Sequence, residues 1–234
     1  LYLYENSIPL SVKQKLFVLL GDVVSSRQIV DRDRFQSRLA ELCSMINAEY
    51  ANDIYAPFKG LKGLDEIGGV LKDISNAFSI IILISETLYP CKMRCSLVYD
   101  FIDTALDSGD VAKMDGPAFH RASKTILELK ETEQLISIAV EDEVLDKTLE
   151  GEINLILLFR EARTAKQRNI IKEYELIKNQ IEVADKLGLS QQYVSMALKR
   201  SRWKMLKDLE EELNRSMHSY QKRIERTEVR SITG

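Results

Sequence analysis

NQIEVADKLGLSQQYVSMALKR, residues Asn179–Arg200, carries the spacing that decides how the last third of the chain folds. Gln180, Ala184, Gly188, Val194 and Leu198 fall in the pattern Q-x3-A-x3-G-x5-V-x3-L. Ala184 is small where two helices must cross closely. Gly188 can take the left-handed conformation that ends one helix and makes a turn. Ser190 is placed to cap the next helix, and Val194 and Leu198 to seat it on the first. Five positions at matching spacing predict a helix-turn-helix.

A cap at Ser190 puts Gln191 and Gln192 in the first turn of the second helix, the part of such a unit that reaches base edges in the major groove. Glutamine can bond adenine through two atoms, so these two are the expected base readers. Tyr193, Ser195 and Lys199 are further candidates for base or backbone contact. Lys199, Arg200, Arg202 and Lys204 form a basic cluster suited to phosphates. The expected partner is duplex DNA; the plainer alternative is a packing or protein-contact module. Behind this unit, Trp203, Glu210, Met217 and Ile224 repeat at one heptad position, and Leu206, Leu213 and Tyr220 at another. That seam suits either a homodimer coiled coil or a helix folded back on its own domain.

Charge separates this end from the rest. From Arg160 onward there are 17 Lys and Arg against 11 Asp and Glu, leaving 16 against 25 before it, although the net charge is only −3. A mildly acidic body with a basic end fits a polyanion meeting the end alone. The longest apolar runs, Leu16–Leu20 and Phe78–Ile84, are too short to span a bilayer, and no membrane partner is expected. Leu1–Leu10 lacks the basic start and continuous apolar core of a secretory signal. Three scattered cysteines, Cys43, Cys91 and Cys95, read as reduced thiols of a cytoplasmic protein rather than a disulfide framework. Two histidines in the whole chain argue against a His-rich zinc site.

Before the basic end, the pattern alternates. Leu16–Val24 reads as a buried strand, and Phe35–Tyr50 as a helix with apolar residues Phe35, Leu39, Leu42, Cys43, Ile46 and Tyr50. Asn52–Asp73 is glycine-rich and predicts two strands around a hairpin. A helix over Ile74–Leu88, a strand in Cys91–Thr104, a loop at Asp107–Lys113, a helix after Asp115-Gly116-Pro117 and a strand at Leu135–Val140 follow. The order β-α-β-β-α-β-α-β predicts an α+β fold: a ferredoxin-like (palm-like) antiparallel sheet with helices on one face, then an all-α helix-turn-helix domain. The expected boundaries are 1–142 for the sheet domain, 143–163 for a connecting helix, and 164–234 for the helical domain. Ile153–Phe159 is apolar enough to predict burial along that connecting helix.

Three motifs lie in the first domain: Gly21-Asp22-Val23-Val24-Ser25-Ser26-Arg27, Lys62-Gly63-Leu64-Asp65-Glu66, and Asp115-Gly116-Pro117-Ala118-Phe119-His120-Arg121-Ala122. In this order, ahead of a helix-turn-helix, they resemble the SatD family of prokaryotic proteins, from about Leu16 to Trp203. More distantly, the domain looks like the palm of nucleotidyl cyclases and related polymerases. That resemblance implies one metal-holding Asp at the end of the first strand, matched by Asp22, and a second in the following hairpin, matched by Asp65 or Glu66. The hairpin here reads Gly-Leu-Asp-Glu rather than a direct Gly-Asp, which shifts the carboxylate in register. The cofactor implied is Mg²⁺ with a nucleotide. Ser25, Ser26, Arg27 and Lys62 are the corresponding phosphate-facing candidates, with His120 and Arg121 as further ligand contacts. Structural roles for the same residues are a capping Asp22, a hairpin-closing Asp65, a solvated Glu66 and a hydrogen-bonded His120.

The expectation drawn from these features is a DNA-binding regulator whose first domain senses a ligand or mediates assembly. The alternative is a metal-dependent nucleotidyl cyclase or polymerase-like enzyme with an accessory helix-turn-helix. The regulatory reading is preferred to the enzymatic one.

Overall fold

The computed structural model describes residues 13–61, 63 and 65–233. The expectations for Leu1–Leu10 and for Lys62 lie outside the described residues.

The first strand, β1 (Gln14–Val23), is buried over its last eight residues without alternation. A strand with that pattern must be covered on both faces. It sits in the middle of a five-stranded sheet whose other members are β2 (Ile54–Gly60), β3 (Glu66–Leu71), β4 (Met93–Ile102) and β5 (Ile136–Ala139), in the order β2-β3-β1-β4-β5. Strands β3 and β4 flank β1 antiparallel, and β2 is antiparallel to β3. β5 runs parallel to β4, so the sheet is mixed rather than purely antiparallel. The reason is the helix between them, α3 (Pro117–Lys130), which carries the chain back to the starting end of the sheet.

Pleating sends alternate residues of β1 to opposite faces. Leu16, Val18 and Leu20 share a core with Ala118, Ala122, Ile126 and Leu129 of α3. Phe17 and Leu19 are buried on the other face. There α1 (Arg32–Glu49) packs on β2, and α2 (Ala77–Leu88) on β4. Helices thus cover both faces and not one, because the central strands are apolar on both sides. Asp31 caps α1 by accepting from the Arg34 N–H at 3.0 Å. Phe35, Leu39, Leu42, Cys43 and Ile46 face inward, as their spacing predicts. Gly116 precedes Pro117 at φ 146°, and a Cβ there would lie 2.8 Å from the Asp103 nitrogen and 2.9 Å from the Phe101 oxygen. Only glycine fits that backbone crossing.

Close contacts divide the chain into two compact units, one up to Lys147 and one from Thr148. The helix α4 (Glu143–Glu161) begins in the first and belongs mostly to the second. Its apolar segment is not buried throughout, contrary to expectation. Ile153, Ile156 and Leu157 are buried, whereas Leu155, Leu158 and Phe159 are 58%, 60% and 42% exposed. Leu149, Ile153, Ile156 and Leu157 fall at helical spacing on one buried stripe, and the apolar residues off that stripe face solvent.

In the second unit, α5 (Ala165–Ile177), α6 (Gln180–Leu187) and α7 (Gln191–Arg200) pack around Ile170, Ile171, Val183, Ala184, Val194, Ala197 and Leu198. Gly188 ends α6 at φ 64°, ψ 38°. The Leu189 N–H returns to the Ala184 carbonyl at 2.9 Å. Ser190 caps α7, accepting from the Tyr193 N–H at 3.2 Å. The last helix, α8 (Trp203–Thr233), buries Leu206, Glu210, Leu213, Met217, Tyr220 and Ile224 within the single chain. The heptad seam is therefore folded against this chain itself, and is not a free face for a second copy. Glu210 is tolerated inside it because Arg160 of α4 bonds it at 2.7 Å.

Candidate functional site

At the end of β1, Asp22 is 6% exposed and stands directly opposite Glu66 of β3 and Arg94 of β4. The Lys130 ammonium, on the last residue of α3, donates to Asp22 Oδ1 at 3.0 Å, and Arg94 Nη1 lies 3.9 Å from Oδ2. Arg94 is itself anchored, since its Nε donates to the Leu129 carbonyl at 3.2 Å. That carbonyl belongs to the C-terminal end of α3, where the helix dipole favours positive charge. Asp22, Glu66, Ser123 and Lys130 line a cavity of about 220 Å³ floored by Leu20, Ile67 and Ile126.

Asp65 sits elsewhere. Its carboxylate accepts from Ser26 Oγ at 2.5 Å, and its carbonyl from the Val23 N–H at 3.0 Å. With Ser26, Arg27, Ile29, Arg32, Phe35 and Gly63 it lines a separate cavity of about 360 Å³. Ser25, at φ 56°, lies two residues beyond the strand and precedes the short 3-10 turn Ser26–Gln28, and it is exposed. Ser26, Arg27 and Asp65 are therefore brought together, whereas Asp22 and Glu66 line the other cavity.

His120 and Arg121 are at the far end of the sheet. Arg121 Nη1 donates to Asp100 at 2.8 Å, and His120 Nε2 lies 3.4 Å from Asp115. Asp100 stands opposite Leu16 while Arg94 stands opposite Asp22. Six residues of strand separate the two places by about 20 Å. The structure thus splits the expected ligand contacts between two ends of the domain. Burial would raise the Asp100 carboxyl, but hydrogen bonds from Arg121 and the Phe101 N–H hold it below its ordinary value.

The palm-like resemblance implies Mg²⁺ with a nucleotide, and the residues present do not fit a divalent ion as they are arranged. Asp22 is already neutralised by two cations, and Asp65 lines a different cavity. Among the described residues, no group of three or more His, Cys, Asp or Glu side chains is gathered to hold a metal. Lys130 and Arg94 were invisible to sequence reasoning, because Lys130 lies 108 residues from Asp22 and no motif links them. Burial pushes the Cys43 thiol up to about 11 and the Cys95 thiol up to about 12.

On α7, Gln191 and Gln192 are exposed in the first turn, with Tyr193 39% exposed and Ser195 half-buried. Gln191 Nε2 donates to Gln180 Oε1, at the start of α6, at 2.9 Å. The Lys166 ammonium lies 4.4 Å from the centre of the Tyr193 ring. Lys199, Arg200, Arg202 and Lys204 are all exposed. None of the four has an ion-pair partner among the described residues. Trp203 is held in place by an edge contact to Tyr174 at 4.9 Å and a bond from its Nε1 to Glu175 at 3.1 Å. No helix among the described residues is long and apolar enough to cross a membrane.

The family model described as the SatD family matches residues 16–214, and the chain belongs to that family. No curated protein matches the sequence. Among solved structures, that of a bacterial light-regulated adenylyl cyclase is similar at 15% identity with a TM-score of 0.38, over 56% of this chain and 45% of that one. The chain spans less than half the length of that cyclase structure.

Proposed function

We propose that this member of the SatD family is a DNA-binding regulator, with α6 and α7 as a helix-turn-helix and the first unit as a ligand-sensing domain. The observation that carries the reading is the amide pair at the start of the two helices. One hydrogen of Gln191 Nε2 is taken by Gln180. That leaves its second hydrogen and its Oε1, the donor and acceptor that adenine pairs with in the major groove. Holding the side chain in this way lowers the entropy lost on contact. Lys199, Arg200, Arg202 and Lys204 supply phosphate contacts without first giving up a partner. Gln192, Tyr193 and Ser195 complete the contacting face. Such a role places the protein with DNA in the cytoplasm.

The order β2-β3-β1-β4, with antiparallel neighbours and helices after β1 and β3, supports reading the first unit as ferredoxin-like and palm-like, extended by β5. The ligand we infer for it is a small phosphorylated molecule, a nucleotide fitting best. Arg27 and Arg32 stand beside the Ile29 and Phe35 side chains in the cavity of about 360 Å³, so charge and apolar surface face one space.

The test is binding of the full chain to a randomised duplex library, followed by titration of the selected sequence. Selective binding is expected, with Gln191→Ala and Gln192→Ala abolishing the preference for particular A·T positions while leaving salt-sensitive affinity. Absence of duplex affinity even at low salt would remove the reading.

A further inference from the structure

We propose that Lys130 is the built-in counter-cation of the Asp22–Glu66 carboxylate pair, and that it closes their cavity to divalent metal. Residues directly opposite on antiparallel strands carry their Cβ atoms about 4.5–5.5 Å apart on one face. Asp22 and Glu66 are such a pair and line one cavity. Two carboxylates so close repel, and the burial of Asp22 strengthens the repulsion. Positive charge at this place, from an ion or from the chain, offsets that repulsion. The chain supplies it: the Lys130 ammonium at 3.0 Å and the Arg94 guanidinium at 3.9 Å from Asp22. Two cations beside Asp22 leave no net negative charge on its carboxylate to attract a divalent ion.

The two cations are not equivalent. Arg94 is fixed by the Leu129 carbonyl and its side chain is only 15% exposed. Lys130 reaches in from the last residue of α3 with 40% of its side chain in solvent. It is the removable member, and it stands where solvent enters. Lys130 is thus a positioning residue that keeps the strand-end carboxylates ordered without metal, and it bars metal-dependent chemistry there while it is seated. This inference is independent of the DNA-binding reading.

The test uses the full chain and Mn²⁺ alone, followed by the free-Mn²⁺ electron paramagnetic resonance signal and by thermal unfolding with and without the ion. The wild type is expected to leave Mn²⁺ free. Lys130→Ala should bind it at least about tenfold more tightly and gain thermal stability from it, because the ammonium no longer occupies Asp22 Oδ1 and a hard cation can reach it. Adding Glu66→Gln to Lys130→Ala should abolish the gain. Should Lys130→Ala not fold, Lys130→Gln, which keeps a donor for Asp22, is measured in the same way. Wild-type binding as tight as that of the folded variant, or no gain in either lysine variant, overturns the proposal.

Discussion

Single residues carry this fold's least negotiable constraints where backbone meets backbone. Gly116→Ala would press a methyl group against the Asp103 nitrogen and the Phe101 oxygen, which have no room to yield. It is expected to destabilise the chain by about 2–3 kcal/mol in urea titration. Glu152 of α4 presents an electrostatic constraint instead: burial raises its carboxyl, and the Glu212 charge raises it further. An acid with a raised folded value favours the fold while protonated, and that contribution is lost as pH rises through the folded value. Glu152→Gln is therefore expected to raise the thermal midpoint at pH 7. The difference should vanish below about pH 4, where ordinary glutamates are protonated too. A midpoint unchanged at pH 7 would show that solvent screens the pair.

Among the elements, β1 and the α6–α7 unit were readable in advance for different reasons. A short apolar run ending in Gly-Asp suits a buried strand, and β1 overlaps the Leu16–Val24 run over all but its last residue. The α6–α7 boundaries follow from local chemistry, the Asn179 cap, the left-handed Gly188 and the Ser190 cap. The same holds for α5, where Thr164 and Gln167 exchange bonds in a capping box at 3.2 and 2.9 Å. Thr164→Ala is expected to cost about 1 kcal/mol in thermal or urea unfolding, with little effect on the first unit. The heptad of α8 was equally visible, but its partner was not, because an apolar seam does not say which surface covers it.

For the whole molecule, a net charge of −3 opposes approach to a polyanion, so any DNA contact must come from locally clustered charge. Lys199, Arg200, Arg202 and Lys204 provide that cluster in the proposed helix-turn-helix. Replacing Lys199 and Arg200 together by Ala is expected to weaken binding to all duplexes alike and to lower the slope of log affinity against log salt by about 2. A loss confined to the preferred sequence would instead assign these two side chains to base reading.

The alternation of strands and helices, the caps and the turn glycines were determined by the sequence alone, because each depends on residues a few positions apart. Membership of the SatD family was legible in the same way, from short motifs in a fixed order. Only tertiary structure decided that helices cover both faces of the sheet, that β5 joins it in parallel, and that His120 and Arg121 lie far from Asp22. It alone brought Lys130 and Arg94 to Asp22, across 108 residues and from a neighbouring strand. Charges meeting at that distance along the chain leave no periodicity to read; their pairing exists only once the sheet and α3 have packed.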